Sequence, residues 1–167
     1  LKNFKESEAY LSKFDFILLS ERGADYEKLY NENGLLSQYT NSNSVTYTYE
    51  YDSANRLISE ESAYASITYS YDNNDNLVLE REISSSQTHE WKREYFYDSN
   101  NNLIQQITSS ITADETTSYT FYSVYNRLNQ LVIEYSLNPT HNYNYLNVYE
   151  YDSQGNCIKK ESYTANS

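Results

Sequence analysis

The sequence predicts an all-β fold, an antiparallel meander of repeated β-hairpins in a twisted sheet that could curl into an open half-barrel. Three observations carry this. A short turn pattern recurs six times, starting at Tyr30, Tyr51, Tyr71, Tyr97, Tyr125 and Tyr151. The residues before each copy alternate with period two and are rich in aromatic and β-branched types, as antiparallel strands are. Helical periodicity is absent from the repeats.

The turn is the most constrained element. The residue after the tyrosine is Asn31, Asp52, Asp72, Asp98, Asn126 or Asp152, and the fourth after it is Gly34, Asn55, Asp75, Asn101, Asn129 or Gly155. Gly, Asn and Asp are the residues that tolerate positive φ. A three-residue hairpin loop needs such a residue at its last position. In the second copy the loop is then Ser53-Ala54-Asn55, with Asp52 facing Arg56 and Tyr51 facing Leu57. The Asp side chain caps the loop backbone as an Asx-turn. On this reasoning Asn101→Gly should be close to neutral, whereas Asn101→Val should be strained. Position six holds Leu36, Leu57, Leu77, Leu103, Leu131 and Cys157. Position seven is β-branched in every copy but the first, which has Ser37.

The strands follow from the alternation. Tyr47, Tyr49 and Tyr51 share a face; so do Ile67, Tyr69 and Tyr71, then Trp91, Tyr95 and Tyr97, and finally Tyr143, Tyr145, Tyr149 and Tyr151. Successive copies start 21, 20, 26, 28 and 26 residues apart. The variable length is assigned to looser polar turns at residues 62–65, 84–88, 109–116 and 136–142, on the opposite edge of the sheet. Residues 1–25 read as an N-terminal arm and capping hairpin, and 26–167 as the repeat domain, within a single structural domain. In the arm, Phe4, Leu11 and Phe14 would share a helical face. Phe14, Phe16 and Leu18 suggest a strand that Glu21-Arg22-Gly23 turns back toward Tyr26.

Composition bounds the function. The chain has 167 residues, 38% hydrophobic and 16% aromatic, with 21 tyrosines and a formal net charge of −12. An acidic surface disfavours nucleic acid and anionic membranes. Tyrosine brings large apolar area with a hydroxyl that needs a partner or water, so a thin sheet is expected rather than a thick oily core. Repeat arrays bury their faces against neighbouring repeats. No apolar run reaches membrane-spanning length. A single cysteine, Cys157, leaves no intramolecular disulfide; its place at the leucine position makes it a small buried hydrophobe. The sequence starts at Leu1 and contains no Met, so processing or trimming of the N-terminus is expected.

The segments YEYDSANRLISEES, YSYDNNDNLVLERE, YFYDSNNNLIQQIT and YEYDSQGNCIKKES resemble YD repeats, the units of Rhs-type proteins, over about residues 26–163. The family pattern is Tyr-Asp-x-x-Gly-Arg/Asn-Leu. Here the glycine stands only at Gly34 and Gly155, and the next position is Arg56 once and Asn76, Asn102 and Asn156 elsewhere. The resemblance implies β-hairpins that spiral into a shell enclosing a toxin or presenting a surface, built from many more repeats than six. It further resembles short secreted or lipid-anchored proteins of the Bacteroides group. It implies an extracellular or periplasmic bacterial location, anchored at the surface through a segment outside this sequence, and no activity. The self-cleaving region that follows the repeats of long Rhs proteins has no counterpart.

Several candidate sites compete with plainer readings. Asp72–Asn76 and Asp98–Asn102 place oxygens as calcium loops do, but Leu77 and Leu103 stand where glycine is required, and Ile83 and Ser109 where glutamate is. Glu80 with Glu82, and Glu90 with Glu94, could serve glycoside hydrolysis or simply be a solvated face. His89 and His141 fall in expected loops without partners. The expectation is a non-enzymatic structural or protein-interaction module with no cofactor and no metal, whose partner is an envelope protein or a glycan. A glycan would stack on an aromatic face formed by Tyr49, Tyr69, Tyr95 and Tyr149, each two residues before a repeat tyrosine. The competing reading is that this row packs as the core of the fold.

Overall fold

The computed structural model describes residues 20–23, 25–138 and 143–166. These residues contain β-strands and no helix. The chain divides into two units, Leu1–Ala63 and Tyr64–Ser167. In the first, β1 (Ser20–Arg22), β2 (Glu27–Tyr30), β3 (Leu36–Thr40), β4 (Thr46–Tyr51) and β5 (Leu57–Ser62) pair in chain order. In the second, β6 (Ala65–Tyr71), β7 (Leu77–Ser84), β8 (His89–Tyr97), β9 (Leu103–Thr112), β10 (Thr116–Tyr125), β11 (Leu131–Leu137), β12 (Tyr143–Tyr151) and β13 (Cys157–Asn166) do the same. Both are antiparallel meanders, and in neither do the first and last strands pair to close a barrel. Residues 1–19, and with them the expected arm helix and first strand, lie outside the described residues. The turn expected at Glu21-Arg22-Gly23 falls slightly later: β1 runs through Arg22, and Gly23 donates its N–H to the Tyr26 carbonyl at 2.9 Å. The Tyr26 ring lies over Gly23 and leaves no room for a side chain there.

All six tight turns have the expected geometry. The fourth residue is left-handed in each, with φ of 75° at Gly34, 63° at Asn55, 66° at Asp75, 63° at Asn101, 58° at Asn129 and 88° at Gly155. Asp52 donates its N–H to Arg56 O at 2.9 Å, and Asn55 donates to Asp52 O at 3.0 Å. The Asp52 carboxylate accepts the amides of Ala54 and Arg56 at 2.9 and 3.0 Å. Its other oxygen takes Arg56 Nε at 2.7 Å. In the copies at Asp72, Asp98 and Asp152 that second oxygen takes the side-chain amide of Asn76, Asn102 or Asn156 instead, at 2.9–3.0 Å. Arg or Asn at the fifth position of these four copies can therefore close the turn from the side; in the copy at Asn126 the direction reverses and Asn126 Nδ2 donates to Gln130 Oε1 at 2.8 Å. A seventh turn of the same form, not foreseen from the repeat, joins β3 to β4. There Asn41 Oδ1 accepts the amides of Asn43 and Val45, and Ser44 has φ 59°.

Position seven is the extra residue of a β-bulge. Pairing runs Glu50 with Ser59 and then Tyr51 with Leu57, skipping Ile58. The same skip occurs at Ser37, Val78, Ile104, Val132 and Ile158. A bulge interrupts the ladder and strengthens local twist. The repeat tyrosine of the next hairpin reaches the backbone at this interruption. Tyr51 donates to Leu36 O at 2.9 Å, Tyr97 to Leu77 O at 2.9 Å and Tyr151 to Leu131 O at 2.8 Å. A second link runs turn to turn. Asn33 Nδ2 donates to Asn55 Oδ1, Asn74 and Asn76 donate to Asn101 Oδ1, and Asn100 and Asn102 donate to Asn129 Oδ1, all at 3.0–3.2 Å.

The loose turns are shorter than the polar composition suggests. β9 continues through Thr112 and β10 begins at Thr116, so the stretch expected as a loop at 109–116 is mostly strand. Its alternating Ser, Ile and Thr suit a pleated surface. Cys157 is exposed, contrary to the buried hydrophobe expected. Among the described strands β13 pairs with β12 alone, which leaves its hairpin without a following one, and neighbouring Ile158 is exposed as well.

Two outcomes follow for stability. Tyr97→Phe keeps the ring and removes the hydroxyl, and should cost about 1 kcal/mol in urea unfolding. Asn101→Gly should also be mildly destabilising rather than neutral, because it loses the two amide bonds from Asn74 and Asn76. Asn101→Val should cost about 1–2 kcal/mol more than Asn101→Gly, since it adds left-handed strain.

Candidate functional site

The described residues contain no buried hydrophobic side chain. The most enclosed residues are small and polar, Thr108 at 1% exposure and Ser136 at 6%. Strand register explains this. Across the second unit, Tyr95 lies opposite Gln106, then Phe121, Ser136, Tyr145 and Thr164. The adjacent row runs Tyr69, Glu80, Arg93, Thr108 and Tyr119. Large side chains stand on the outgoing strands and polar ones, the smallest being Thr108 and Ser136, on the return strands between them. The large ones lean together over the small ones: the Phe121 and Tyr145 rings are 6.1 Å apart, and Tyr119 meets Phe121 edge-on at 5.3 Å. This cover is one side chain thick.

The four tyrosines expected to form a row are all half-buried. Tyr49, in the first unit, stands opposite Glu60. In the second unit Tyr69 and Tyr95 occupy adjacent rows, and Tyr149 stands opposite Lys160, off both. The register steps between hairpins, so residues at equal distance from successive turns climb the sheet. Tyr95 therefore shares its row with Phe121 and Tyr145, a grouping that turn-based alignment could not reveal. The hydroxyls are committed: Tyr95 donates to Glu80 Oε2 and Tyr149 to Glu134 Oε2, each at 3.1 Å. Burial, and then nearby Glu60 for Tyr49 and Glu80 for Tyr95, raises both phenols above the usual tyrosine range.

Glu80 and Glu82 share one face and Glu90 and Glu94 the opposite one, as the alternation predicts, but most of these carboxylates are already paired. Glu80 is held by Arg93 at 2.8 Å, Glu90 by both Arg81 Nε and Nη2 at 2.7 and 3.0 Å, and Glu94 by Lys92 at 2.9 Å. The Arg81 fork holds the Glu90 carboxyl below the usual range. Glu82 faces Trp91. His89 is not in a loop; it opens β8, with Nε2 3.3 Å from Ser110 Oγ and its ring 5.1 Å from Trp91. His141 lies outside the described residues. Among the described residues no group of His, Cys, Asp and Glu could hold a metal ion. No helix of the described residues is long and apolar enough to cross a membrane.

The turn aspartates bear on calcium directly. In Asp72 and Asp98 both carboxylate oxygens accept hydrogen bonds from their own loops. The amide of Asn102, then the loop backbone, lowers the pKa of Asp98; Asp152 is lowered likewise through Asn156, and Asp52 through the Arg56 backbone and then its side chain.

The RHS Repeat family model matches residues 30–66, about a fifth of the chain. Among curated proteins nothing matches. Among the crystal structures that share the fold are three of similar composition. That of TcdB2-TccC3-Cdc42 superposes with a TM-score of 0.63 at 20% identity, over 76% of this chain and 8% of that one. TcdB2-TccC3 without its hypervariable C-terminal region gives 0.62 at 18%, over 83% and 8%. TcdB2-TccC3-TEV gives 0.58 at 17%, over 86% and 10%. The chain thus spans a tenth or less of each similar chain.

Two solution outcomes follow. Millimolar calcium or a chelator should leave the melting temperature unchanged, because a ligand bound only by the native state would raise it. Depressed carboxyl pKa values add stability that is fully present above the unfolded value of about 3.9 and is lost as pH falls through the lower folded values. Thermal melts should therefore decline below about pH 4.

Proposed function

We propose that the chain is a non-enzymatic segment of an extracellular or cell-envelope assembly, a β-repeat wall whose role is structural or protein-binding. The observation that carries this reading is the pair of links between hairpins, tyrosine hydroxyl to leucine carbonyl and asparagine to asparagine. Each link depends only on the preceding hairpin, so the device extends a sheet by addition of units. The one-layer cover of side chains over Thr108 and Ser136 fits a wall better than a catalytic cleft. The Glu80, Glu90 and Glu94 ion pairs weaken the reading as a glycoside hydrolase. The similar structures join TcdB2 with TccC3, and one adds Cdc42, which supports a protein partner.

A second reading has a specific observation behind it. Tyr95, Phe121 and Tyr145 form one row on one face, and their half-burial leaves ring surface able to stack on a sugar. The Tyr69→Ala, Tyr95→Ala double variant separates the two. The structural reading predicts loss of about 1–3 kcal/mol per site by thermal or urea unfolding, and no glycan-array binding that depends on Tyr69 and Tyr95. Wild-type binding that disappears in a folded double variant would instead establish the aromatic face as a glycan site.

A further inference from the structure

We infer a second, independent ligand site on the face opposite Tyr95, a cleft that takes a neutral pyranose sugar. The cleft has a volume of about 590 Å³ and lies at the loose-turn end of β7, β8 and β9. Its residues include Arg81, Ile83, Gln87, Thr88, Glu90 and Ile111. The volume falls within the range of small-ligand sites, which combine apolar lining with a few convergent polar groups.

Its chemistry selects the ligand class. Arg81 and Glu90 form a planar two-bond fork, with Nε and Nη2 donating to the two carboxylate oxygens. A guanidinium has five N–H donors and a carboxylate about four acceptor sites, so the fork retains both kinds after pairing with itself. It is neutral as a unit, and Gln87 and Thr88 add further donors and acceptors. Vicinal sugar hydroxyls, each both donor and acceptor, match such an array. Ile83 and Ile111 give an apolar surface for the C–H face of the ring. An anion would gain little from the self-paired fork and would approach a chain of net charge −12 against its field.

The wall is prearranged. Gln87 is held left-handed at φ 56° and donates its N–H to Ser84 O at 2.8 Å. The hydroxyls of Ser84, Ser86 and Thr88 run in a chain at 3.2 and 2.7 Å, and Ser84 Oγ also accepts the His89 amide at 3.2 Å. Preorganisation of this kind lowers the entropy cost of binding.

The test uses the whole chain, ligand-observed NMR and calorimetry. The probes are glucose, galactose, mannose, N-acetylglucosamine, their β-linked disaccharides and glucuronic acid. At least one neutral sugar should bind in the millimolar range, more tightly than glucuronic acid. Arg81→Lys, which keeps the charge but not the fork, and Ile111→Ser should each weaken binding about tenfold or more. The Tyr69→Ala, Tyr95→Ala double variant and Lys92→Gln should bind as wild type does. Exposed ion pairs contribute little to stability, so Arg81→Lys should melt near the wild-type temperature and report on binding alone. The inference fails if no neutral sugar binds at tens of millimolar, if glucuronic acid binds more tightly, or if both cleft variants bind normally. Loss confined to the tyrosine variant would move the site to the other face.

Discussion

A phenol hydroxyl donated to a carbonyl one hairpin back is the contact that most of this structure arranges itself around. The carbonyl lies at a bulge, where the ladder is interrupted and a backbone acceptor can be reached from the side. The bulge follows from the turn, since a left-handed fourth residue brings the returning strand in with one residue to spare. The left-handed residue depends in turn on the Asx cap, which ties the loop amides to one carboxylate or amide oxygen. Turn, bulge and tyrosine are therefore one unit. Phenylalanine at Tyr51, Tyr97 or Tyr151 would fill the same space and leave the carbonyl without its donor.

That dependence accounts for the composition. Among the described residues no hydrophobic side chain is fully buried, so an aliphatic residue has little to pack against. Tyrosine covers its neighbours with the ring and joins the next hairpin with the hydroxyl, at a side-chain entropy cost of only two torsions. The smallest polar residues, Thr108 and Ser136, are enclosed because large neighbours lean across them. The acidic charge is distributed in the same way: Glu80 and Glu134 receive the hydroxyls of Tyr95 and Tyr149.

Much of the fold was legible in the sequence because its strongest constraint is local. Positive φ admits few residue types, and six recurrences of Gly, Asn or Asp at one offset specify loop length, facing pairs and strand direction. The bulge at Ile58 and its equivalents was hidden, since a β-branched residue there looks like ordinary strand continuation. The turn at Asn41 was missed because no Tyr-Asp precedes it. The tyrosine row was drawn by distance from the turn, whereas lateral neighbours depend on register between hairpins, which puts Phe121 and Tyr145 beside Tyr95. His89 appeared to be a loop residue because its partners, Trp91 and Ser110, are in contact only once β8 and β9 pair. Cys157 occupied a buried position by analogy with five leucines, but among the described strands its hairpin has a neighbour on one side only.

The central claim is that hydrogen-bonded turns and tyrosine links, rather than an apolar core, hold the fold together. Exposure of apolar surface raises the heat capacity of unfolding and exposure of polar surface lowers it. Differential scanning calorimetry reads this directly. Globular domains give about 12–15 cal/mol/K per residue. A sheet held by polar links should give less than about 10 cal/mol/K per residue with a single cooperative transition. A value in or above the globular range would require an apolar core and would contradict the account.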